Sequence, residues 1–186
     1  MNLNKLTTKT QEVLQQAQTI ALANGQQSIE PAHILKGMLE IDEAVLPFIF
    51  NESNLDSQKV SNTLTSIVNS YPKVSGGQPF MSKDSNQLFA TSFKLMDEFQ
   101  DEYLSLDVIF LGLSKGKDSV SQMLKDLGLT SEAIKAAIMK LRNGDKVESQ
   151  GQEDTYRALD KYANNLNEMA KTGKLEPVIG RDEEIR

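Results

Sequence analysis

His33 is the only histidine in a chain that has no cysteine, so any familiar nucleophile-and-base pair would have to be built on it. It stands just inside an apolar segment opened by Glu30-Pro31, a position that suits a structural residue better than a catalytic base. Without cysteine there are no disulfides or thiolate metal sites, which fits a reducing compartment and makes the cytoplasm the default location. Carboxylates gather at Asp97-Glu98, Asp101-Glu102 and Asp182-Glu183-Glu184. None has the alternating oxygens, turn glycine and closing glutamate of a calcium loop, so they read as solvated faces and no metal site is expected. ATP hydrolysis needs a phosphate loop of the form G-x-x-x-x-G-K-[ST] and a magnesium carboxylate, and no such loop occurs in the 186 residues. The residues predict a binding module, not a catalyst.

Charge narrows the partners. Asp and Glu number 26 against 20 Lys and Arg, and the net charge of -6 argues against nucleic acid, which demands clustered basic groups. No apolar run approaches the roughly 20 residues of a membrane span, and Met1 to Lys5 does not lead into a signal-type apolar core. A membrane partner is not expected either.

The elements that carry these residues read as helices. Val13, Leu14, Ala17, Ile20 and Ala21 recur at helical spacing, with Thr8-Lys9-Thr10-Gln11 as a candidate capping box and Asn24-Gly25 as a stop. Glu30-Pro31 opens a second helix with a stripe of Ile34, Leu35, Met38 and Leu39, and a short third carries Val45, Leu46, Phe48 and Ile49. Asp56 caps a fourth, with Val60, Leu64, Ile67 and Val68 on one face, ending near Pro72. Nothing in this stretch reads as a strand.

The same order recurs with a shift of about 75 residues, and self-similarity at a fixed offset reports a duplicated unit. Leu14 meets Phe89, Ile20 meets Leu95, Ile29 meets Leu104, Leu35 meets Phe110 and Gly37 meets Gly112. Val45 meets Val120 and Ile49 meets Leu124; after a one-residue gap Leu55 meets Leu129 and Val60 meets Ile134. Repeat 1 spans residues 6–71 and repeat 2 residues 81–143, with the Gly- and Pro-containing stretch Pro72 to Pro79 as the loop between them. Neither unit buries much apolar surface alone, so the expectation is one all-α domain, a duplicated four-helix repeat over residues 1–143.

Beyond the Asn143-Gly144 stop, residues 144–154 are polar and read as a flexible tether. About 11 such residues span typically about 18 Å and at most about 38 Å. From Tyr156 a further helix shows Leu159, Tyr162, Ala163, Leu166 and Met169 on one face, stopped by Gly173 and Pro177.

The run Gly173-Lys174-Leu175-Glu176-Pro177-Val178-Ile179-Gly180-Arg181-Asp182-Glu183-Glu184 resembles the entry into the first ATPase domain of Clp-type AAA+ chaperones, with Glu176 where Asp is more usual. The front of the chain is similar to the Clp N-terminal repeat at Leu6-Thr7 through Gln11, at Ile29-Glu30-Pro31-Ala32-His33-Ile34-Leu35 and at Asp101-Glu102-Tyr103-Leu104-Ser105-Leu106-Asp107. The tether resembles the disaggregase branch of that family more than the protease-coupled branch.

The resemblance implies that residues 155–186 begin an ATPase domain, in which Pro177, Val178, Ile179, Gly180 and Arg181 would lie beside adenine. It implies ATP and magnesium in the full-length parent and no cofactor in this stretch. It implies a homohexameric parent, with the stretch itself monomeric, that takes unfolded or aggregated client proteins and works with a DnaK-type chaperone system. Leu95 and Val108 would line an apolar client groove, with Thr91 where Leu is common, and Thr7, Asp101 and Asp107 would lie near the client-facing surface. On propensity alone these five read otherwise, as two core residues, a helix cap and two turn residues. Two other readings stay open: an adaptor-docking domain of a protease-coupled relative, and a stand-alone helical scaffold.

Overall fold

The computed structural model describes residues 1–156. Pro177 to Arg181, and all but the start of the helix expected from Tyr156, lie outside the described residues. Repeat 1 comprises α1 (Thr8–Ala23), α2 (Pro31–Ile41), α3 (Val45–Glu52) and α4 (Ser57–Ser70). Repeat 2 comprises α5 (Lys83–Glu98), α6 (Leu106–Ser114), α7 (Ser119–Asp126) and α8 (Ser131–Arg142). α5 and α6 begin 75 residues after α1 and α2, whereas α7 and α8 begin 74 after α3 and α4. The one-residue gap thus falls before α3, which corrects the sequence pairing. Leu46 and Val120, and Phe50 and Leu124, are the equivalent buried pairs.

Local chemistry sets the helix ends. Thr7, not the expected Thr8 box, caps α1, its hydroxyl oxygen accepting from the Thr10 N–H at 3.2 Å. Ser82 does the same for α5, accepting from the Ser85 N–H at 3.0 Å. Pro31 opens α2, and Asp56 caps α4. Asn143 adopts the left-handed conformation that ends α8.

The repeats exchange strands, which the sequence reading did not foresee. β1 (Ser28–Ile29) pairs in parallel with β2 (Phe80–Met81), and Leu6 bridges Leu104, the equivalent positions with the repeats interchanged. The Ser82 N–H donates to the Ile29 carbonyl and the Thr7 N–H to the Leu104 carbonyl, both at 3.1 Å. Pairs this short carry no period-2 signal; position, not propensity, makes them.

Packing follows the same pseudo-two-fold relation: α1 packs on α2, α5 on α6, and across the repeats α3 meets α8 and α4 meets α7. Two equivalent glycines permit the first contacts. A Cβ on Gly37 would stand 3.0 Å from the Val13 carbonyl of α1, and one on Gly112 would stand 2.5 Å from Ser92 Oγ of α5. α6 is buried all round, as a helix at the centre of a core must be, and its Phe110 meets Phe50 of the other repeat edge-on at 5.8 Å.

Residues 144–156, expected as a flexible tether in their first part, are strapped across the domain here. The Val147 side chain is fully buried, its carbonyl accepts from the Glu102 N–H at 2.8 Å, and the Gln150 carbonyl accepts from the Thr8 N–H at 2.9 Å. Glu153 and Tyr156 are buried as well, and residues 152–156 are already helical. One apolar side chain and two amphipathic ones suffice to dock a segment whose composition is otherwise polar.

Candidate functional site: an apolar cleft in the second repeat

A cleft of about 500 Å³ opens between the C-terminal half of α5, α6 and α8. Leu95 and Leu111 form its floor, Phe99 is half-buried in its wall, and Met139 is 53% exposed at its mouth. Glu98, Lys115, Glu132 and Lys135 ring it with both signs of charge. The Lys135 ammonium lies 5.9 Å and the Arg142 guanidinium carbon 4.8 Å from the Phe99 ring centre, distances at which cations are held by an aromatic face. Helix for helix, Phe99, Leu111 and Met139 stand where repeat 1 has Asn24, Lys36 and Thr65. Repeat 1 keeps an apolar residue, Ile20, opposite Leu95 and is polar at the other three positions.

Of the five site residues expected from sequence, Leu95 alone lines this cleft. Val108 is fully buried in the core. Thr91 lines a neighbouring cleft of about 420 Å³ with Leu88 and Gly112, and Lys115 borders both. Thr7 is fully buried and donates its hydroxyl to Glu153 Oε1 at 2.7 Å. Asp101 and Asp107 are buried. Arg142 Nη1 and Nη2 donate to the two oxygens of Asp101, each at 2.9 Å, and Nε donates to Asp107 Oδ2 at 2.8 Å. The three polar positions are buried for a common reason: an acid or hydroxyl beside a helix start finds partners in the strap or in Arg142.

Arg142, which ties this cluster together, was missed because an arginine in a last helical turn reads as a solvated partner of the helix dipole. Burial alone would lower its pKa, but Asp107 and Asp101 outweigh that and hold the guanidinium above its ordinary range. Burial, aided by Asp107, pushes the Glu153 carboxyl up to about 7, against the opposing hydrogen bonds from Thr7 and the Leu106 N–H.

His33 is structural, as expected. Its Nδ1 accepts from the Glu30 N–H at 2.9 Å, so Nε2 carries the proton and donates to Gln26 Oε1 at 2.6 Å. Burial, with Lys36 nearby, lowers its pKa to about 4 and keeps it neutral. Among the described residues no group of His, Asp and Glu side chains is placed to hold a metal ion, and no helix is long and apolar enough to cross a membrane.

Residues 5–127 match the model of the Clp repeat N-terminal domain. The chain belongs to that family. Over all 186 residues it is 47% identical to the chaperone protein ClpB of Bacteroides thetaiotaomicron, of which it spans 22%. This Clp N-terminal domain therefore corresponds to about a fifth of the length of the curated relatives it matches, and the disaggregase-branch resemblance agrees with them. Its fold matches the crystal structure of the Hsp104 N-terminal domain from Candida albicans, at 17% identity with a TM-score of 0.68 over 78% of this chain and 97% of that one. It also matches a ClpV N-domain solved in complex with a VipB peptide, at 18% identity with a TM-score of 0.62 over 73% and 86% of the two chains.

Proposed function

We propose that this Clp N-terminal domain captures exposed apolar stretches of unfolded or aggregated polypeptides in the cleft between α5, α6 and α8, and passes them to an ATP-driven ring formed by the rest of a longer protein. The observation that carries this is the asymmetry of the duplication: an apolar cleft about Leu95, Phe99, Leu111 and Met139, the last three of which are Asn24, Lys36 and Thr65 in repeat 1. A folded domain keeps a half-exposed methionine over a greasy hollow at a cost in solubility, and binding is the use that offsets it. Hydrophobic area with few directional donors suits a receptor that must accept many sequences, each weakly. That a related ClpV N-domain holds a peptide supports the reading.

In this reading the parent is a homohexamer using ATP and magnesium, Pro177 to Arg181 lie at the adenine, and a DnaK-type system delivers or receives clients. Methyl resonances test the client step. Titrating an unfolded model protein into the 186-residue chain should shift the methyl signals of Leu95, Leu111 and Met139 while leaving those of Leu46 and Leu64 in repeat 1 in place. Shifts confined to repeat 1 would refute it.

A further inference from the structure

The strap makes the same journey in repeat 2 that the inter-repeat loop makes in repeat 1, with one difference. After α4 the chain runs back along the α1–α2 turn, the Val74 N–H donating to the Gly25 carbonyl at 2.9 Å, and is then held by β2 and α5. After α8 it runs back along the α5–α6 turn, the Val147 N–H donating to Asp101 Oδ1 at 2.9 Å and Lys146 Nζ to Gln100 Oε1 at 2.5 Å. There the domain's own elements end. The strap is anchored covalently to α8 at one side only and continues into residues 157–186. Beside the bonds of Lys146, Val147 and Gln150, one side chain joins two helix starts: Glu153 Oε1 accepts from both Thr7 Oγ1 at 2.7 Å and the Leu106 N–H at 3.1 Å, linking the start of α1 to the start of α6.

We propose that residues 144–156 form a releasable strap, clasped by Glu153 to Thr7 and the first amide of α6, whose docking and release set how far the two-repeat domain reaches from the chain that follows. The clasp is poised because it is expensive. Glu153 Oε2 and the Tyr156 hydroxyl are buried without a hydrogen-bond partner among the described residues, and each such atom forfeits the hydration it has when the strap is free. The strap's remaining bonds go to Gln100, Asp101 and Glu102 between α5 and α6 and to Asn4 and Thr8 at the start of α1, whereas the core about Phe110, Leu35 and Ile34 is closed by the helices themselves. A segment with few apolar anchors and no place in the helical core opens below the free energy of global unfolding. Docked, it holds the domain close; released, its residues regain the reach of a free linker.

Two measurements on the 186-residue chain test this. The natural absence of cysteine allows spin labels at Lys125→Cys and Glu148→Cys alone. One narrow distance should be seen in the parent, and Glu153→Lys should replace it with a broad, longer distribution while the melting temperature and helicity of the domain stay near the parent's. An unchanged narrow distance, or loss of the whole domain's structure with the strap, overturns the proposal. Hydrogen exchange on the otherwise unsubstituted protein gives the second reading. The amides of Glu102, Val147 and Leu106, which the strap protects, should exchange at least about tenfold faster than the core amide of Phe110. Exchange of all four only through global unfolding overturns it.

Discussion

Arg142 stands in the second repeat where Val68 stands in the first, and each closes the same joint with different chemistry. In repeat 1 the Val68 carbonyl accepts from Gln26 Nε2 at 2.7 Å, and Gln26 in turn holds His33. In repeat 2 the position equivalent to Gln26 is Asp101, and it binds the Arg142 guanidinium in a two-pronged pair. One joint is neutral and the other is a buried ion triad with Asp107.

The triad should behave as buried charges do. Arg142→Leu leaves two carboxylates buried and unpaired, a loss of about 3–5 kcal/mol, whereas the triple change Arg142→Leu, Asp101→Leu, Asp107→Leu should cost far less. Chemical denaturation of the single and triple variants reads the difference. A single variant within about 1 kcal/mol of the parent would show that the charges are hydrated.

The neutral joint predicts an acid sensitivity. His33 is lowered in the fold to about 4 from its ordinary 6.5, so below 6.5 the unfolded chain takes up a proton that the native state refuses. Its contribution is complete above 6.5 and is lost as pH falls towards 4. Glu153 runs the other way: raised to about 7 from 4.5, it contributes fully below 4.5 and the contribution fades as pH rises through 7. The two windows overlap, so the opposed slopes largely cancel in the parent between about 4.5 and 6.5; His33→Gln should leave a stability that falls as pH rises through that range, and Glu153→Gln one that rises. A parent profile unchanged by either substitution contradicts the assignment.

The equivalent glycines predict unequal penalties. Gly37→Ala drives a methyl into backbone, the Val13 carbonyl and the Ala17 amide at 3.0 and 3.3 Å, and no side-chain change relieves it. Gly112→Ala meets Ser92 Oγ at 2.5 Å, so Ser92→Ala should restore much of what it loses. Thermal melts should show rescue in the second pair only.

The duplicated helices were legible because stripes such as Val60, Leu64 and Val68 have one period and clear stops, and the match of Gly37 with Gly112 fixed the offset. The two-residue strands were not, since Phe80 is exposed and nothing in its neighbours alternates. Nor was the strap: Val147 amid ten polar or small residues gives no periodic signal, yet it is fully buried. Leu95, expected at the site from its family position, lines the cleft, whereas Phe99 and Met139 emerge only when the two repeats are compared in space. Val108 and Leu95 look alike in sequence; the fold turns one into the core and the other towards the cleft. Accordingly Val108→Glu should unfold the domain, with loss of its circular dichroism, while a charge at the exposed Met139 should not.

That last contrast gives the most direct test of client capture by the cleft. Binding of a fluorescently labelled, permanently unfolded model protein is measured by anisotropy for the 186-residue chain and for Met139→Glu, with melting temperatures recorded alongside. A carboxylate at the cleft mouth must lose water when an apolar segment docks, at a cost on the order of 2 kcal/mol, so affinity should fall about 30-fold with the melting temperature unchanged. Equal affinity in a variant that is equally stable would contradict the cleft as the capture site.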